Sequence, residues 1–178
     1  MSPVFDCTSA PGRAEGVAKA ATGVRAGALV VLPTDTLYGV GADAFTPAAA
    51  QPLRAATGRC QDMPPPVLVP SPEPVDGLAT DIPDYARALI AQFWPGALTV
   101  VLKAQPSLMW DLGETGGTVA LRMPNDEIAL ALLAEVGPMA VSSANRTGYP
   151  ASRTVVEAAS QLGAAVEFEV ELRHDPQA

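Results

Sequence analysis

Apolar residues along this chain fall into short unbroken runs and into stripes of helical period, separated by breaks rich in proline and glycine. From Arg13 to Ala26, the residues Ala14, Val17, Ala18, Ala21 and Val24 keep helical spacing, and Gly27 stands where a C-cap is needed. Ala28-Leu29-Val30-Val31-Leu32 predicts a buried strand, and Pro33 to Asp43 a polar, glycine-bearing turn after it. Thr46 as N-cap and Pro47 at the first helical position open a helix to about Ala56, with Pro52 predicting a kink. Val67-Leu68-Val69 reads as a short strand. Asp84 to Phe93 reads as a helix with Tyr85, Leu89 and Phe93 on one face. Ala97 to Leu102 and Thr118 to Arg122 are two more strands. Asn125 to Val136 predicts a helix with Asp126 and Glu127 in its first turn. Pro138 to Val141 is a strand, and Thr154 with Glu157 forms a capping box for a helix to about Leu162. From Ala165 to Leu172, Val166, Phe168, Val170 and Leu172 alternate with Glu167, Glu169 and Glu171, the pattern of a half-exposed strand. Residues 1–12 read as a loose lead-in, and 57–66, 70–74 and 106–117 as loops.

Strands alternating with helices predict an α/β domain with a twisted mixed sheet. The 178 residues fit a single domain, 1–178, with no repeat or internal linker. Nothing in the chain predicts a membrane span or a secretory leader, so a cytoplasmic protein is expected. A net charge of −8 argues against a broad electrostatic grip on nucleic acid. Lys19 and Lys103 are the only lysines, so contacts to a small anion would fall largely to arginine. Cys7 and Cys60 are too few for a disulfide framework, and His174, near the end of the sequence, is a poor catalytic candidate.

Polar clusters follow or end several strands: Thr34 to Tyr38, Thr118 to Arg122, and Ser142 to Asn145. Arg59 lies in a loop that could fold over them. Singly, each also fits a capped turn, a surface ion pair or a solvated loop. Together, hydroxyls, amides and guanidinium forks predict a phosphate or carboxylate pocket. Glycine-rich phosphate loops, nucleophile elbows and zinc-protease motifs are absent from the sequence. From the residues, the reading stops at an anion-binding α/β protein.

Pro33-Thr34-Asp35-Thr36-Leu37-Tyr38-Gly39-Val40-Gly41-Ala42-Asp43 resembles the signature of the YrdC-like family of L-threonylcarbamoyladenylate synthases. Further pieces match in order over roughly residues 14–162. They are Gly58 to Met63-Pro64, Phe93-Trp94-Pro95-Gly96-Ala97-Leu98-Thr99, Thr118-Val119-Ala120-Leu121-Arg122-Met123-Pro124, and Ser142-Ser143-Ala144-Asn145-Arg146-Thr147-Gly148. The resemblance implies a YrdC-like domain with a large concave, positive cavity. It implies synthesis of threonylcarbamoyl-AMP and pyrophosphate from L-threonine, bicarbonate and ATP, usually with Mg2+, and delivery of the product to a tRNA-modifying partner enzyme. Carried over by position, Thr34, Thr36, Arg122 and Ser143 would bind threonine. Thr57, Arg59, Thr118, Ser142, Asn145 and Arg153 would bind nucleotide, with Arg59 catalytic through the phosphates. No protein metal ligand is implied. Two departures stand out: Thr57-Gly58-Arg59 where the family usually reads Lys-Gly-Arg, and a divergent acidic tail over 163–178. They leave open a paralogue that adenylates a different carbamate, or a non-catalytic member binding nucleotide, protein or RNA. Double-stranded RNA is the weakest of these for so acidic a chain.

Overall fold

The computed structural model describes residues 4–166 and 168–171. Its core is one mixed sheet. The strands in chain order are β1 (Val4–Asp6), β2 (Val30–Leu32), β3 (Gly39–Asp43), β4 (Val67–Leu68), β5 (Ala79–Thr80), β6 (Val100–Ala104), β7 (Thr118–Arg122), β8 (Met139–Ser143) and β9 (Phe168–Glu171). The helices are α1 (Ala10–Arg25), α2 (Pro47–Thr57), α3 (Val75–Leu78), α4 (Asp84–Phe93), α5 (Glu127–Val136) and α6 (Val155–Leu162). Spatial order across the sheet is β1-β9-β2-β3-β8-β4-β7-β6-β5. Strand β9 runs parallel to both β1 and β2, β4 runs parallel to β7, and the other neighbours are antiparallel.

Two apolar clusters lie on the two faces, because neighbouring residues of a strand point opposite ways. Val31, Val40, Val67 and Leu121 pack with α2, α3, α4 and α6; Val30, Leu32, Leu68 and Met139 pack with α1 and α5. On β7, Val119 and Leu121 are buried, whereas Thr118, Ala120 and Arg122 share the other face. Opposite them on β6, Val101 pairs with Ala120 and Lys103 with Thr118, and Val101 and Lys103 are both exposed. Helices α1 and α5 cover this face beneath β2, β4 and β8, and β6–β7 is left open.

The expected elements appear with instructive differences. Residues 4–6 of the lead-in form β1, and α1 starts early because the Ser9 side chain accepts the Gly12 N–H. The turn after β2 is only half irregular. Its glycines belong to β3, where a Cβ on Gly39 would lie 2.6 Å from Val141 Cγ1 and one on Gly41 2.9 Å from Val141 Cγ2. Thr46 sits at the N-cap of α2, but its hydroxyl donates to Asp43 Oδ2 at 2.6 Å instead of capping the helix. Tyr85, Leu89 and Phe93 do share a face of α4, and that face is exposed; Ala86 and Ile90 turn inward. Half of the capping box of α6 forms: Thr154 Oγ1 accepts the Glu157 N–H at 3.1 Å, but Glu157 Oε2 accepts the N–H of Arg153, one residue before the cap, at 2.7 Å. In the final strand, Glu167 and Leu172 lie outside the described residues, as do the side chains from Phe168 to Glu171 and the tail with His174.

Candidate active site

The loop after β2 is shaped by one hydroxyl. Thr34 Oγ1 donates to Leu37 O at 2.6 Å and accepts the N–H groups of Thr36 and Leu37, each at 3.2 Å. This tight turn presents Asp35 and Thr36 to Arg122 at the end of β7. Arg122 donates from Nε to Gly96 O at 2.9 Å, from Nη1 to Thr36 Oγ1 at 3.2 Å and from Nη2 to Asp35 Oδ1 at 2.6 Å. Thr34, Thr36 and Arg122 are thus brought together. Asp35, the Gly96 carbonyl and the Asn125 N–H, which donates to Asp35 Oδ1 at 3.1 Å, join them unforeseen. An acidic residue between two threonines was the available signal for Asp35, as the complement of a distant arginine.

A second group forms where β8 ends. Arg59 Nη2 donates to Ser143 Oγ at 3.0 Å, so the loop after α2 does fold over that strand end. The left-handed Gly58 at φ +66 makes this reversal possible directly after the helix. Asn145 Nδ2 donates to the carbonyls of Arg146 and Tyr149 at 3.0 Å each and ties the following turn. Ser142 Oγ and Asn145 Oδ1 are buried without a hydrogen-bond partner among the described residues.

Thr57 requires a correction. It is fully buried, its hydroxyl donates to Leu53 O at 2.9 Å, and its carbonyl accepts both the N–H and the hydroxyl of Thr147. It clips α2 to the loop after β8 and has no side-chain group to offer a nucleotide. Thr118 lies on the open face four residues before Arg122, about 13 Å away along the strand, with its hydroxyl on Thr115 O at 2.7 Å. Arg153 is exposed beside Ser152, whose hydroxyl donates to Ala144 O.

The loop after β2 connects the two arginine groups: it leaves β2 where Leu32 pairs with Gly39 and Gly39 with Ser143, the partner of Arg59, and its Asp35 and Thr36 bind Arg122. Through β4, Arg122 is in register with Met139, which lies four residues before Ser143 on β8. Beside Thr118, Lys103 Nζ donates to Asp81 Oδ2 at 2.8 Å. This hydrogen bond and the paired charge hold the Asp81 carboxyl below its usual range and Lys103 above its own.

These features define an α/β protein whose open sheet face carries two arginine-centred polar groups. The profile of the Sua5/YciO/YrdC family, described as "Telomere recombination", matches residues 23–177, and the chain belongs to this family. A Mycobacterium leprae relative carrying the provisional name threonylcarbamoyl-AMP synthase is 54% identical over 93% of this chain and 76% of its own length. The threonylcarbamoyl-AMP synthase of Bacillus subtilis is 37% identical over 82% of this chain and 43% of its own. Pyrococcus abyssi Sua5 complexed with L-threonine superposes with a TM-score of 0.89 at 34% identity. That match covers 96% of this chain, which spans only 50% of the archaeal one. No helix among the described residues is long and apolar enough to cross a membrane.

Proposed function

We propose that this chain condenses L-threonine, bicarbonate and ATP into L-threonylcarbamoyl-AMP and pyrophosphate, a nucleotidyl transfer that supplies a tRNA-modifying enzyme in the cytoplasm. The observation that carries the reading is the held Arg122 fork beside Thr34 and Thr36, in a chain so similar to a threonine-bound relative. In this reading Arg122 takes the threonine carboxylate, with Thr34, Thr36 and Ser143 around the amino acid. Arg59 takes the ATP phosphates, with Ser142, Asn145, Thr118 and Arg153 along the rest of the nucleotide. The amine of threonine attacks bicarbonate carbon and water leaves, giving a carbamate. A carbamate oxygen then attacks the α-phosphorus, and the bond to the β-phosphate oxygen breaks as pyrophosphate departs. The side chains have little covalent work; positioning and charge neutralisation dominate. Among the described residues, His, Cys, Asp and Glu form no group of three that could hold a metal. In this reading Mg2+ enters with ATP, carried by its phosphates.

The test is pyrophosphate release with all three substrates, together with mass detection of the mixed anhydride. Release should require L-threonine and bicarbonate. Release that ignores threonine, or none at all, overturns the reading. Release with another amino acid instead would point to a paralogue acting on a different carbamate.

A further inference from the structure

Arg122 is bound to the protein more completely than charge pairing requires. Three of its nitrogens are engaged, by a backbone carbonyl, a hydroxyl and a carboxylate drawn from two separate segments. The carboxylate is itself fixed. Asp35 Oδ1 takes the Asn125 N–H as well as the Arg122 Nη2 donor, and the Thr34 hydroxyl locks the turn on which Asp35 stands. Both side chains are largely covered, with Arg122 13% and Asp35 18% exposed. An acceptor tied down from two directions suits a permanent brace better than a gate that swings aside.

We propose that Asp35 is a positioning residue for the amino-acid end of the site. It sets the plane of the Arg122 guanidinium, so that the remaining hydrogens on Nη1 and Nη2 meet an incoming carboxylate without a rotamer search. Asp35 acts through Arg122 and does not touch the substrate. That Arg122 receives a substrate carboxylate, and that it belongs to L-threonine, rests on the proposed function; the brace on the guanidinium does not. Asp35 also lowers the positive charge at this end, so the affinity it confers comes from geometry. A free guanidinium on a flexible stem would lose side-chain freedom on binding, and the brace removes that loss beforehand. The planar fork rewards such alignment, because both of its bonds are directional.

Two variants test this. Asp35→Asn keeps an oxygen of the same shape for Nη2 and for the Asn125 N–H; Asp35→Ala removes it. The readouts are the KM values for L-threonine and for ATP in pyrophosphate release, and the nitrogen-15 signal of the Arg122 Nε–H in the ligand-free protein. Asp35→Ala should raise the threonine KM by about 10–100-fold and leave the ATP KM within about 2-fold, since misplacement near 1 Å costs up to about that much. Its Nε–H signal should broaden through exchange. Asp35→Asn should restore the signal and most of the KM. Three results would overturn the proposal: an unchanged signal and KM in Asp35→Ala, tighter threonine binding there, or equal loss toward both substrates. Tighter binding would mark Asp35 as a competitor for Arg122, and equal loss as a general support of the fold. If the unsubstituted protein releases no pyrophosphate, the functional reading falls, while the Arg122 signal still decides whether Asp35 holds the guanidinium.

Discussion

Arg122 and Arg59 offer the same charged group to the same sheet, but the protein binds the first at three nitrogens and the second by a single bond to Ser143. Arg122 stands on a strand end and is braced by a locked turn; Arg59 follows a left-handed glycine in a loop. The contrast matches the chemistry each end would face. A substrate carboxylate is a spectator whose charge does not change, so a rigid fork costs nothing during turnover. Phosphates redistribute charge and then leave, and a lightly held arginine can follow them.

Each prediction stresses one side of this contrast. Arg122→Ala should have the largest effect. It should lower kcat/KM for L-threonine by about 100-fold or more, because a charge-assisted fork is lost, and it should also lower the melting temperature by leaving Asp35 without its cation. Activity kinetics and thermal unfolding of one preparation measure both. Arg59→Ala should cost turnover about 10–50-fold yet shift the melting temperature by less than about 2 °C, since only one hydrogen bond within the protein is lost. Equal loss of stability in the two variants would erase the distinction between braced and loose. Thr57→Lys should gain no turnover and lose about 1–3 kcal/mol by denaturant unfolding, because a long cation must enter a fully buried position. A more active and equally stable Thr57→Lys protein would mean that the phosphate end is looser than its Thr147 clip implies.

The smallest effect lies away from both ends. Burial pushes the Cys7 thiol up, so the unfolded chain ionises first as pH rises. Stability should fall above the ordinary thiol range, and Cys7→Ala should flatten that slope in alkaline unfolding curves.

Much of the architecture was legible because apolar periods were strong: α4 and β7 begin and end where the pattern says. Strand β3 was not. Its glycines carry no apolar signature, and its place is set by Val141 across the sheet, a tertiary fact. Strands β1 and β5 and helix α3 are too short for any period to register. In the site, the resemblance of motifs pointed to Arg122, Thr34 and Thr36, which the structure brings together, and to Arg59 in a loop that does reach Ser143. Asp35 stands in the same signature between two threonines, but its partner 87 residues away was not legible there. The resemblance misjudged Thr57 because position in a motif does not tell which way a side chain turns.

Strand β9 sits between β1 and β2, and that has a consequence for how the protein is made. During synthesis β2, a Val-Val-Leu strand, gains β3 early but must present its other edge until residues 168–171 arrive. At about 5–20 residues per second the wait is roughly 7–30 seconds, and β1 cannot join the sheet before then. A nascent chain would carry an open apolar edge throughout that interval, the kind of template on which stray strands assemble. Slowed or interrupted translation before residues 168–171 are made should therefore favour aggregation through that edge.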